Sequence, residues 1–199
     1  MSGSEYSGKR DFRRTPEPGG SARRRGRSKQ PIFVIQQHAA RSDHFDFRLE
    51  ADGALKSWAV PKGPSTNPRD KRLAMPTEDH PMEYADFEGV IPKGEYGAGP
   101  VIVWDRGTYE NTTTDREGRE VPVAEALDDG ELKVRLHGEK LTGGYVLVRT
   151  GGGDRERWLL IKARDDEADA RRRPARTQPE SVISGRTLKQ VEAEEGEAG

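Results

Sequence analysis

The 199-residue chain contains no cysteine. That excludes disulfides and thiolate metal sites, and it suits a reducing compartment such as the cytosol. Apolar material is scarce too: hydrophobic residues make up 31% and aromatics 7%, against 35% charged. The expected core is therefore modest and lies under much polar surface. No apolar run approaches the roughly 18–20 residues that cross a bilayer, and the N-terminus lacks the apolar stretch of a signal peptide. No internal repeat is evident. These absences lead us to expect a soluble, cytoplasmic, monomeric protein, with one domain of about 150 residues and polar tails.

What is present is unevenly arranged. The net charge is only −1, yet residues 1–30 hold nine Lys and Arg, from Lys9 to Lys29, against Glu5, Asp11 and Glu17. This Gly-, Ser-, Pro- and Arg-rich stretch reads as a disordered basic arm able to pair with phosphates. Residues 31–165 read as the folded domain. Residues 166–199 read as a charged, Arg/Pro-rich tail, helical only over Leu188–Glu195.

Between the tails, short strands alternate with turns. Ile32–Gln37, Asp43–Glu50, Leu55–Val60 and Lys71–Met75 carry strand patterns, and Asp52-Gly53 signals a hairpin. Thr77 reads as a helix cap or turn former. Phe87–Ile91, Val101–Trp104, Gly107–Glu110, Glu131–Leu136, Gly144–Arg149 and Arg157–Ala163 continue the series, with a turn at Gly151-Gly152-Gly153-Asp154. Val121–Leu127 reads as a short helix. About nine strands joined by turns indicate a mainly β domain. The fold class is a small antiparallel β-barrel, closed or half open, with one or two short helices.

The chemistry concentrates on one strand. From Asp43 to Glu50 polar and apolar residues alternate, so His44, Asp46 and Arg48 share one face and Phe45, Phe47 and Leu49 the other. With His38 folding back from the preceding strand, His44 and Asp46 make a two-histidine, one-carboxylate set suited to a divalent transition metal. Arg48 adds a fixed cationic fork beside it, which suits phosphate. Glu78-Asp79-His80 and Tyr84 offer a second cluster, with His80 able to exchange a proton near neutral pH and Tyr84 able to donate a hydrogen bond. Lys62 and Arg72, in or beside proline-marked loops, can extend a cationic pocket. Glycines 94, 97 and 99 do not fit a dinucleotide fingerprint. Trp58, Trp104 and Trp158 read as packing residues.

Taken together, Phe33–His38, His44–Glu50, Lys56–Pro64, Glu78–Gly89, Ile91–Gly99 and Trp158–Lys162 closely resemble the 3′-phosphoesterase domain of bacterial DNA ligase D. The resemblance covers roughly residues 30–165. It implies a manganese-dependent enzyme that trims 3′ ends of DNA primer–templates or duplexes. Such an enzyme removes a 3′-terminal ribonucleoside and then the 3′-phosphate, leaving a 3′-hydroxyl. It also implies His38, His44 and Asp46 as metal ligands, for Mn²⁺ or for Co, Zn or Cd. Arg48, His80 and Tyr84 fall at phosphate-binding positions, and Lys62, Arg72, Glu78, Asp79 and Gln36 at supporting ones. The chain carries neither polymerase nor ligase module, and its Met1 suggests a stand-alone form acting near the nucleoid beside a ligase, a polymerase or end-binding proteins.

Two other readings compete. One is an iron oxygenase that pairs His44-x-Asp46 with a distal histidine such as His137. The other is a non-catalytic nucleic-acid adaptor of an end-joining complex, binding through the basic arm.

Overall fold

The computed structural model describes residues 3–20, 30–151 and 154–196. Nine strands form one antiparallel sheet: β1 (Ile32–Ala39), β2 (Asp43–Ala51), β3 (Ala54–Val60), β4 (Arg72–Pro81), β5 (Gly89–Ile91), β6 (Gly99–Asn111), β7 (Glu131–Gly138), β8 (Thr142–Arg149) and β9 (Trp158–Lys162). Their order is β1-β2-β3-β4-β9-β8-β7-β6-β5, and β1 also pairs with β6. That last pairing closes eight strands into a barrel and leaves β5 as a short outer strand on β6. Closure removes the free sheet edges.

The period-2 pattern positions everything else. Phe33, Ile35, Phe45, Phe47 and Leu49 turn inward and join Trp58, Trp104, Leu132, Leu136 and Leu147 in the barrel core. A hairpin with Asp52 at φ 53° and Gly53 at φ 79° joins β2 to β3, the left-handed pair that a tight two-residue turn requires. The helix expected over Val121–Leu127 is observed as α2 (Val123–Asp129), ended by Gly130 at φ 89°. Among the described residues, no helix is long and apolar enough to cross a membrane.

Three local expectations change. The strand expected to stop at Met75 runs on through Thr77 to Pro81, because β3 supplies pairing partners all along it. Val101–Trp104 and Gly107–Glu110 form a single strand, β6, which bulges opposite Ile35 and Gln36 and so spans both. Only Gly89–Ile91 of the Phe87–Ile91 strand pairs, since a 3-10 turn, Met82–Asp86, occupies the approach to it.

The tails are built in. Residues 3–20 pack on the outside of the barrel instead of remaining disordered as expected, beginning with a one-and-a-half-turn helix, α1 (Gly3–Gly8). Tyr6 is buried there with Val34, Leu55, Tyr84 and Phe87 in a second apolar layer. Residues 21–29, the most Arg-rich part of the arm, lie outside the described residues, as do Gly152 and Gly153 of the expected turn. At the other end, a short helix α3 (Pro174–Thr177) leads to α4 (Leu188–Glu195), which places Leu188 and Val191 on Ile102. Thr187 and Gln190 cap α4 reciprocally.

Candidate metal and phosphate site

The site lies on the outer wall of the barrel, on the face of β1 and β2 opposite the core. Register pairs His38 with His44, Gln36 with Asp46 and Val34 with Arg48. Directly opposed residues share a face, so four polar side chains and Arg48 are brought side by side. His38, His44 and Asp46 form a group that could hold a metal ion: one ligand atom from each lies within 4.8 Å of the others. Asp46 Oδ2 is 3.8 Å from His38 Nδ1 and 3.4 Å from His44 Nε2. These separations exceed a good hydrogen bond and approach the edges of a coordination shell with bonds of about 2.1 Å.

The donor set fits a divalent transition ion. His38 Nε2 lies 2.6 Å from the Gly97 carbonyl, and His44 Nδ1 lies 3.1 Å from that of Ser42. Each carbonyl can take the proton of one ring nitrogen and leaves the other facing Asp46, the arrangement that orients metal-binding imidazoles. Gly97 makes this possible. It sits at φ +75°, and a Cβ there would lie 3.3 Å from the His38 ring. Burial opposes a charge on Asp46, but Arg48 and the two histidines outweigh it and hold the carboxyl well below its ordinary range. Burial likewise disfavours a proton on His44, yet Asp46 raises its titration above the usual value.

Arg48 forms the second half of the site. Its Nη2 lies 3.3 Å from Asp46, its Nε donates to Gln36 Oε1 at 2.7 Å, and its Nη1 lies 3.2 Å from His80 Nδ1. Gln36 in turn donates to the carbonyls of Tyr84 and Phe87, tying the 3-10 turn to the barrel. His80 Nδ1 also lies 2.9 Å from the Glu78 carbonyl. That contact needs a proton on Nδ1, whereas Arg48 needs a lone pair there, so the nitrogen satisfies one of them at a time. Burial and the adjacent Arg48 keep His80 neutral, with its titration well below the ordinary value. Burial and Glu17 push Tyr84 well above its own, so its hydroxyl stays a donor. A bulge between β3 and β4 aims these groups: Leu55 pairs with His80 and Ser57 with Thr77, leaving one extra residue on β4.

A lid that the sequence reading missed completes the site. Arg10 donates to Glu17 at 2.8 Å and to Glu78 at 3.1 Å, and Tyr84 donates to Glu17 at 3.1 Å. Tyr6 packs 5.0 Å from the His80 ring. The signal was faint but present: Tyr6 and Arg10 stand one helical turn apart, and Tyr6 and Phe12 are aromatics in an otherwise polar leader. Exposed Tyr96 stands at the rim with Lys9 and Arg10 near its ring. Together these residues enclose a polar groove of about 710 Å³.

The other candidates lie elsewhere. Asp79 turns away to Lys56, 2.8 Å distant. Lys62 and Arg72 line a separate groove against the C-terminal tail. His137 is half exposed on β7, bonded to Glu110, and takes no part in the cluster.

The profile of the DNA Ligase D 3′-phosphoesterase domain matches residues 36–149. The chain is 50% identical over 187 residues to the multifunctional non-homologous end joining protein LigD of Pseudomonas aeruginosa, covering 92% of this chain and 21% of that protein. It is 45% identical over 171 residues to the multifunctional non-homologous end joining DNA repair protein LigD of Mycobacterium tuberculosis, covering 81% of this chain and 20% of that one. The chain thus spans about a fifth of the length of the curated relatives it matches.

Proposed function

Because the chain belongs to the DNA ligase D 3′-phosphoesterase family, we propose that it cleans 3′ ends of DNA for end joining. It removes a 3′-terminal ribonucleoside by phosphodiester hydrolysis and then the remaining 3′-phosphate, leaving a 3′-hydroxyl. The observation that carries this reading is the pairing of two unlike halves on one strand face. His38, His44 and Asp46 offer an N,N,O set for Mn²⁺, or for Co, Zn or Cd, and Arg48 places a guanidinium 3.3 Å from the same carboxylate. A divalent ion held there supplies positive charge to the phosphate and acidifies a bound water.

The chain's own groups then divide the remaining work. Arg48 stabilises negative charge on the non-bridging oxygens, held in place by Gln36 behind it. A phosphate accepting from Arg48 frees His80 Nδ1 to bond the Glu78 carbonyl and leaves Nε2 to face the substrate. His80 is neutral beside Arg48 alone. A phosphate anion next to it raises its affinity for a proton, and this equips it to protonate the departing oxygen. Tyr84, kept protonated, exchanges its hydrogen bond to Glu17 for one to the phosphate, while Glu78 and Glu17 hold Arg10 over the groove. The protein acts in the cytoplasm at the nucleoid, with a ligase and polymerase supplying the later steps of joining.

The test is a primer–template bearing one 3′-ribonucleotide, incubated with and without Mn²⁺, comparing the native chain with His44→Ala. The expected result is metal-dependent shortening to a 3′-phosphate and then a 3′-hydroxyl, lost in the variant. Shortening that stops at the 3′-phosphate would restrict the activity to the diesterase. No cleavage with any divalent metal, alongside retained DNA binding, would replace the enzyme with the adaptor.

A further inference from the structure

Lys62 and Arg72, expected at supporting positions of the phosphate pocket, instead meet the C-terminal tail in a groove of about 300 Å³ whose lining includes Arg172, Arg173, Arg176 and Asp70. Five cations thus surround one carboxylate, in a chain whose net charge is −1. Asp70 is already engaged by Ser65 at 2.6 Å and Arg72 at 3.4 Å. Among the described residues Lys62, Arg173 and Arg176 have no carboxylate partner, and Arg72 Nε is buried without any hydrogen-bond acceptor. Like charges brought together without counter-ions repel, and an anion in their midst reverses the sign.

The arginines are held there by the fold. Thr66 Oγ1 donates to the carbonyls of Asp169 and Arg172 at 2.7 and 3.2 Å, and the Asp169 amide donates back to the Thr66 carbonyl at 2.9 Å. Arg172 also donates to the Lys140 carbonyl at 3.0 Å. Gly63 lets the loop and the tail touch: at φ +73°, a Cβ there would lie 2.8 Å from the Phe45 ring and 3.2 Å from Ala175. The β2–β3 register pairs Phe45 with Val60, which puts Lys62 just beyond the His44 end of the strands. The groove therefore lies toward the same end of the barrel as His44.

We propose that this groove is a second phosphate-binding site, in which Arg172, Arg173 and Arg176 clamp the sugar–phosphate backbone of the DNA leading to the processed end. Its ligand class, DNA backbone, rests on the phosphoesterase reading; the cation cluster does not. The groove recognises charge and spacing, so it carries no sequence preference.

The experiment titrates a fluorescent primer–template with the full chain in EDTA at several salt concentrations, and compares it with Arg173→Glu/Arg176→Glu. The expected outcome is about tenfold weaker binding or more, with the salt slope reduced by roughly two counter-ions. Arg173→Gln/Arg176→Gln, which adds no new charge, should give a smaller loss in the same direction and covers the case in which the reversal variant fails to fold. Unchanged affinity and slope in a folded variant would overturn the proposal. Cleavage by the native chain is scored separately. Groove-dependent binding without 3′-end cleavage would sink the phosphoesterase reading and leave the groove standing.

Discussion

β1 and β2 present two faces of opposite character, and each buries side chains almost completely. Inside the barrel, Phe33, Ile35, Phe47 and Leu49 are at most 1% exposed. Outside it, Gln36 is 0% and Arg48 3% exposed, although both are polar. The inner face is covered by the rest of the barrel wall, and its cohesion is non-directional: area removed from water, at about 25 cal/mol per Å². The outer face is covered by a lid of residues 3–20 and the 3-10 turn, and its cohesion is directional. Each donor there has a named acceptor, as in the chain from Arg48 through Gln36 to the carbonyls of Tyr84 and Phe87. One wall thus separates a face that confers stability from a face built for chemistry, and each face should fail in its own way.

The largest effect expected is on the outer face. Asp46→Asn keeps the shape and removes the charge that gathers His38, His44 and Arg48, so 3′-end cleavage should fall about 10³-fold or more. Circular dichroism should still report a folded barrel, because no inner contact changes. A barrel that unfolds instead would mean that the two faces are not separable. The reciprocal change is Phe47→Ala, which leaves every site residue in place and opens a hole beneath them. It should cost about 3–5 kcal/mol of stability by chemical denaturation. Activity should survive at low temperature, where the folded fraction persists.

A smaller effect probes the cover of the outer face. Arg10 is the common partner of Glu17 and Glu78, whose side chains are 0% and 4% exposed. Arg10→Ala removes the buried cation that the two carboxylates share and leaves Glu78 only Lys9, 3.5 Å away, which disfavours the closed lid. The strands keep their own pairing, so residues 3–20 should become sensitive to brief proteolysis while the barrel resists. Cleavage should drop by about 10–100-fold, as when a group that positions the reacting ones is lost. Equal protease resistance in the variant would show that the lid is held by Tyr6 and not by charge.

The two faces also differ in how plainly the sequence displays them. Strict alternation over Asp43–Glu50 places the inner phenylalanines and the outer His44, Asp46 and Arg48 without ambiguity, because a strand has one period and two sides. The antiparallel barrel follows from short strands and turn residues. What local pattern cannot carry is long-range pairing. Arg10 finds Glu78 across 68 residues, and a leader rich in Arg, Gly and Pro has the composition of a disordered arm until the barrel supplies acids for it to meet. Asp79 and His80 are neighbours in sequence, and the pleat of β4 sends them to opposite sides, but this is legible only once the segment is known to be a strand. Lys62 and Arg72 are cationic, as the resemblance requires. Their groove depends on tail arginines a hundred residues on, which nothing near them announces.

The smallest effect separates the faces by pH. His80 is neutral in the folded chain because burial and then Arg48 disfavour its proton, whereas the unfolded chain accepts that proton near pH 6.5. Below that value the unfolded state binds a proton that the folded state refuses, so His80's contribution to stability falls as the pH falls. The limiting slope for one group is about 1.4 kcal/mol per pH unit. His44 works in the opposite direction, since its folded form holds a proton more firmly. Denaturation curves in EDTA at pH 7.5 and 5.5 should therefore be compared between the native chain and His80→Gln. The native chain should lose about 1 kcal/mol more than the variant over this interval. An inner-face change such as Phe47→Leu should lower stability at both pH values alike, since it touches no titrating group. If His80→Gln shows the same pH loss as the native chain, the folded His80 must take up a proton despite Arg48. The outer face would then already provide an imidazolium before any phosphate arrives.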